Sequence, residues 1–218
     1  MGSAVAIRSD LRAAFGPARN QGERPTCLVF ALSDAHSAAR GARDVLSAEH
    51  LYYHAVMRTA GGHPGKGVAL PEACEALKVD GQSLESSWPY LAKLPIDLAH
   101  WAPPATAVQL FRRGTQLTNA KIPEIIGRLT AGQPVVVIFL MGARFYVPAD
   151  GLVESGPNDA DIAYHAVVAV GHGRSAADED CLLIRNSWGE DWALEGYAWI
   201  AASYLEPRLT GTLVMEPG

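Results

Sequence analysis

The chain changes texture near residue 133, and that change limits the folds open to it. After it come four short runs, at 134–141 (PVVVIFLM), 165–172 (HAVVAVGH), 181–187 (CLLIRNS) and 196–202 (GYAWIAA). Each is β-branched or aromatic and bounded by glycine or charge, which reads as a strand. Before it the apolar residues recur at helical spacing. Pro25-Thr26 precedes CLVFALSDAHSAAR and Gly41 follows it, as in a helix that proline enters and glycine ends. Ser47 is a candidate N-cap for AEHLYYHAVMR, residues 71–79 read as a third helix, and 122–130 as a fourth, stopped by Gly132. Residues 61–67 (GGHPGKG) are a loop, and Pro95, Pro103 and Pro104 mark an irregular connection. A helical half followed by a strand-rich half predicts an α+β protein, two lobes with a cleft between them.

Composition removes several functions. With 49% hydrophobic and 19% charged residues, the chain is far from the disordered regime. A net charge of -5 leaves no electrostatic footprint for nucleic acid or an anionic membrane surface. The longest apolar run, at 134–141, cannot span a bilayer, and the N-terminus lacks the apolar core of a signal peptide. Three cysteines, Cys27, Cys74 and Cys181, are an odd and widely spaced set. They predict neither a closed disulfide framework nor a Cys-x-x-Cys metal pair, and they suggest a reducing, cytoplasmic setting.

Cys27 falls in the first turn of the first helix, where unpaired N–H groups and the helix dipole favour a thiolate. His165 opens an apolar strand, so its imidazole can project into a cleft while its neighbours pack in the core. Asn186 closes another apolar strand, and its amide suits holding an imidazole in one orientation. Gln21, six residues before Cys27, carries an amide N–H of the kind that stabilises an oxyanion. Taken singly, each has an ordinary structural explanation. Together and in this order they do not.

The set Arg19-Asn20-Gln21-Gly22, Cys27 opening a helix, His165-Ala-Val-Val-Ala-Val-Gly and Asn186-Ser-Trp-Gly resembles the papain-like cysteine proteases. His165 and Asn186 lie 138 and 159 positions after Cys27. The resemblance extends to Ser47-Ala-Glu-His-Leu, Ser87-Trp-Pro-Tyr, Trp192 and Gly196-Tyr-Ala-Trp-Ile, from about residue 18 to 200. It implies a papain-like two-lobe α+β fold, with a helical lobe at about 18–115 and an antiparallel, β-barrel-like lobe at about 116–218, in one catalytic domain. It implies Cys27 as nucleophile, His165 as its thiolate–imidazolium partner, Asn186 as orienter and Gln21 as oxyanion donor. Trp188 would shield the His–Asn hydrogen bond and line the substrate site. Gly67 matches the glycine against which substrate backbone lies. The activity implied is a cysteine-type endopeptidase acting on peptide or protein substrates through an acyl-enzyme, with no cofactor and no metal. An amidase, deconjugating enzyme or acyltransferase would use the same site, and a non-catalytic peptide-binding module is the third reading.

Departures are specific. The family's Cys-Gly-Ser-Cys-Trp is here Arg24-Pro25-Thr26-Cys27-Leu28, and its Gly-Cys-Asn-Gly-Gly is His63-Pro-Gly-Lys-Gly67, so both members of a disulfide are absent. Pro25 is expected to stiffen the turn instead. Tyr164 stands where the family has an Asp before the histidine, which predicts a different pH response. Only about twenty residues precede Gln21, so a regulatory domain or partner protein is expected in place of a propeptide. Cys74 and Cys181 are expected to be reduced core residues.

Overall fold

A computed structural model describes residues 5–42, 44–157 and 159–217. The first helix, α1 (Cys27–Arg40), begins at the candidate nucleophile and ends at Gly41, whose φ of 64° is the left-handed cap that glycine adopts without strain. In α2 (Ala48–Arg58) the Ser47 hydroxyl accepts the His50 N–H, and α3 (Leu70–Val79) carries Pro71 in its first turn. A fourth helix, α4 (Ile122–Thr130), buries Ile122, Ile125 and Leu129 at helical spacing. These helices fall where local capping signals put them.

The strands exceed the sequence expectation. The four anticipated runs become β3 (Val135–Gly142), β5 (Asp161–Arg174), β6 (Asp180–Arg185) and β7 (Tyr197–Ala201). Four further strands join them: β1 (Ala6–Asp10), β2 (Thr115–Leu117), β4 (Leu152–Val153) and β8 (Leu209–Met215). The order is β2-β8-β3-β5-β6-β7-β4, with β1 added alongside the far end of β5. Pairings are antiparallel except for β4 with β7, so the sheet is mixed. A short helix, α5 (Ala202–Leu205), links β7 to β8.

Both faces of this sheet are buried, and alternation sorts its side chains between two cores. Ala166, Val168 and Val170 of β5 join Leu183 and Trp199 against α1, α2 and α3. Val167 and Ala169 join Phe139, Ile184 and Ile200 in a second core closed by α4 and Tyr204 of α5. The architecture is the α+β, two-lobe arrangement. No helix among the described residues is long and apolar enough to cross a membrane. All three cysteines are free thiols: Cys181 is fully buried, and Cys74 is half-buried on α3.

Candidate active site

Three elements meet at the front of the sheet. Helix α1 runs along β5, which brings its first residue, Cys27, against Ala166, whose backbone N–H points at the thiol. The preceding residue on β5 is His165, 3% exposed. Its Nε2 donates to Asn186 Oδ1 at 2.8 Å, because an amide oxygen only accepts. That bond fixes the neutral tautomer with Nδ1 free as a base. Asn186 is itself held: its Oδ1 also accepts the Ser187 N–H at 2.9 Å, and its own N–H donates to Gly196 O.

Gln21 is placed by four hydrogen bonds. Its backbone N–H donates to Ser187 O, its backbone O accepts from the Tyr90 hydroxyl, and its Oε1 accepts from Ser187 Oγ at 2.7 Å. The fourth runs from Nε2 to Arg24 O at 2.8 Å. One amide hydrogen is thus committed, and the second is left for a ligand. Gln21 is linked through Ser187 to Asn186 and His165, and Cys27 lies against Ala166, the residue after His165. Gly67 is exposed on the loop beside Pro25, and a Cβ there would meet only Pro25 O, at 3.7 Å.

An aromatic wall encloses the imidazole, and sequence reading found only part of it. The Trp188 ring lies 5.0 Å from the His165 ring, tilted by 42°, where it limits water at the His–Asn hydrogen bond. Phe145 packs at 5.3 Å from His165 and also against Trp188 and Trp192, and Tyr146 stacks on Trp188. Phe145 ends a short 3-10 turn after β3 that Tyr146 caps, and no periodicity or motif marked them.

Electrostatics depart from expectation. The helix N-terminus was expected to lower the Cys27 pKa; burial instead pushes the thiol up, and the N–H groups of Ala166, Leu28 and Cys27 offset this only in part. Burial also pushes His165 down to about 4, against a weaker opposing effect from Asn186. Tyr164, 67% exposed, supplies no carboxylate to hold an imidazolium. Desolvation at each group thus favours the neutral thiol and the neutral imidazole.

Behind the site a charged cluster ties its segments together. Asp34, seven residues after Cys27 on α1, accepts from Arg19 Nε and Nη2 at Oδ1 and from Arg185 Nε, at 2.7 Å, at Oδ2. Arg19 lies two residues before Gln21, and Arg185 adjoins Asn186. Burial alone would raise the Asp34 pKa, but the two guanidinium charges outweigh it and hold the carboxyl below its usual range.

The family profile described as "Papain family cysteine protease" matches residues 4–208. The chain belongs to the papain family of cysteine proteases. Among curated relatives, the Cathepsin L-like peptidase of Aedes aegypti is 27% identical over 201 residues, covering 87% of this chain and 56% of its own length. The Oryzain gamma chain of Oryza sativa subsp. japonica is 30% identical over 190 residues, covering 83% and 50%. The chain thus spans about half the length of these relatives. Xylellain, a cysteine protease from Xylella fastidiosa, superposes with a TM-score of 0.76 at 21% identity, over 98% of this chain and 87% of its own. The bromelain protease from Ananas comosus, solved with the E64 inhibitor, gives 0.72 at 21% identity, over 96% and 98%. These two likenesses show the papain-like fold.

Proposed function

We propose that this papain-family chain is a cysteine-type endopeptidase that hydrolyses peptide bonds through Cys27, His165, Asn186 and Gln21. The observation that carries this reading is the buried 2.8 Å His165–Asn186 hydrogen bond beside a thiol that opens α1. Because burial favours the neutral pair, the proton moves within the chemical step. Cys27 Sγ attacks the scissile carbonyl carbon as its proton passes to His165 Nδ1. The oxyanion formed is met by the second Gln21 amide hydrogen and the Cys27 backbone N–H. His165 then gives the proton to the leaving amine, and a thioester remains. Water attacks that thioester with His165 taking its proton, and collapse releases the acid and restores the thiol. Gly67 gives extended substrate backbone a place to lie, and Trp188 flanks the leaving-group side. The reading includes a cytoplasmic setting, supported by the three free thiols.

The test is labelling at pH 7 with a peptidyl thiol-directed inhibitor, read by mass spectrometry of intact protein and digest. One equivalent is expected on Cys27, none on Cys27→Ala, and slow labelling of His165→Ala. Labelling of Cys27 no faster than that of Cys74 or Cys181 would overturn the assignment. Digestion of a peptide library then reads the cleavage itself.

A further inference from the structure

The loop that carries Gln21 and the loop that carries Gly67 are separate in sequence, and all three cysteines are free, so no disulfide joins them. A buried ion pair does. Arg24, 2% exposed, points inward from the first loop, and its Nη1 lies 2.6 Å from Oε2 of Glu49, which is fully buried on α2. The same Nη1 donates to Leu91 O, and Nε donates to Pro64 O within the glycine loop at 3.4 Å. Glu49 also accepts the Trp101 indole N–H at 2.6 Å and the Leu91 N–H. Tyr52, whose ring lies 4.8 Å from the guanidinium, directs its one hydroxyl hydrogen between Pro64 O and Lys66 O, both within reach.

The backbone of Arg24 faces the other way. Its carbonyl accepts the Gln21 side-chain N–H, and the next residue, Pro25, presents its carbonyl to Gly67. One residue therefore holds the amide of Gln21 by its main chain and the glycine loop by its side chain. Pro25, expected from sequence to stiffen this turn, is exposed. A buried ion pair is a poor source of stability, because desolvation consumes most of its Coulombic gain. Its value lies in a fixed geometry, here set by a planar guanidinium whose Nη1 meets Glu49 and Leu91 O while its Nε reaches Pro64 O; Nη2 has no partner among the described residues.

We propose that Arg24 and Glu49 are positioning residues for the reaction, a charged clasp that holds the Gln21 amide and the Gly67 edge in one frame. The proposal rests on the peptidase reading above. Neither residue touches the reacting atoms; both act through Gln21 and the glycine loop.

The test compares wild type with Glu49→Gln, which keeps the shape and removes the charge, and with Arg24→Lys, which keeps the charge and removes the planar guanidinium. Hydrogen exchange read by mass spectrometry needs no substrate. Both variants are expected to lose protection selectively over residues 19–28 and 61–68, with β6 and β7 unchanged. Peptide hydrolysis is expected to fall about 10- to 100-fold, chiefly in kcat. Alkylation of Cys27 by iodoacetamide, which builds no oxyanion, is expected to stay within about twofold. Unchanged exchange in both loops, uniform deprotection along the chain, or kcat within about twofold of wild type would overturn the proposal. If Glu49→Gln does not fold, Arg24→Lys decides by the same readouts. Wild-type protein that cleaves no peptide, while its variants still show the exchange response, would refute the peptidase reading and leave the loop coupling standing.

Discussion

Acid should unfold this protein well before its carboxylates are titrated, and His50 gives the cleanest measure. It is 2% exposed on α2, and among the described residues neither ring nitrogen finds a hydrogen-bond partner. It stacks on His54 at 4.9 Å and meets the edge of Trp88 at 5.8 Å. Burial pushes its pKa from 6.5 to about 4; His54 adds to this, and Asp80 opposes it. In the unfolded chain His50 takes up a proton near pH 6.5, and in the folded chain it resists until about pH 4. Unfolding therefore binds a proton between those values, and stability falls as pH drops from 6.5 to 4, with no further loss below. A gap of this size is worth on the order of 3 kcal/mol. His36 and His165 are depressed to the same value by burial and act in the same direction. The three therefore lower stability together over the same pH window, by more than His50 alone. His50→Leu removes one of these groups and breaks no hydrogen bond. Urea unfolding at half-unit steps from pH 7 to pH 4.5 should give a slope shallower by about one proton than wild type, with no loss of stability at pH 7. An unchanged slope in His50→Leu would refute the reasoning.

Two other predictions test features around the site. Asp34→Asn leaves the buried Arg185 without its carboxylate and Arg19 with only Glu85, at 3.9 Å, so unfolding free energy at pH 7 should drop by about 3 kcal/mol; a loss under about 1 kcal/mol would show that the cluster is well solvated. Gly67→Val has room for its Cβ in the fold but places methyl groups where substrate backbone is expected to lie. KM for peptides should rise about tenfold or more with Tm unchanged, and an unaffected KM would remove Gly67 from the substrate edge.

What the sequence disclosed, and what it hid, follows from the range of the forces involved. Helices α1, α2 and α4 were legible because Pro25, Gly41, Ser47 and Gly132 act within a turn of the residues they cap. Strands β3 and β6 announced themselves by apolar runs buried on both faces. By contrast β1 is largely exposed and β8 is interrupted by Gly211, so each owes its pairing to a distant partner rather than to its own composition. Cys27, His165, Asn186 and Gln21 were legible from order and spacing. Phe145 and Tyr146 were not, because aromatic contacts with residues as distant in sequence as His165 and Trp188 leave no local signature. Arg24 shows the limit best: in sequence it is one charged residue before a proline, and its meaning depends on Glu49 and Pro64, which only the fold brings near. The thiol pKa was misjudged for a related reason, since a helix dipole can be read locally and burial cannot.

The placement of His165 in the first half of β5 also bears on synthesis. When Cys27 is added to the growing chain, His165 is still 138 residues from being made, and Asn186, at the end of β6, comes later still. The sheet that seats them then needs β8, whose residues pair with β3 and β2. The four candidate site residues are thus brought together only by long-range pairings that follow the synthesis of β6 and β8. Until then Cys27 is a thiol with neither His165 nor Asn186 beside it.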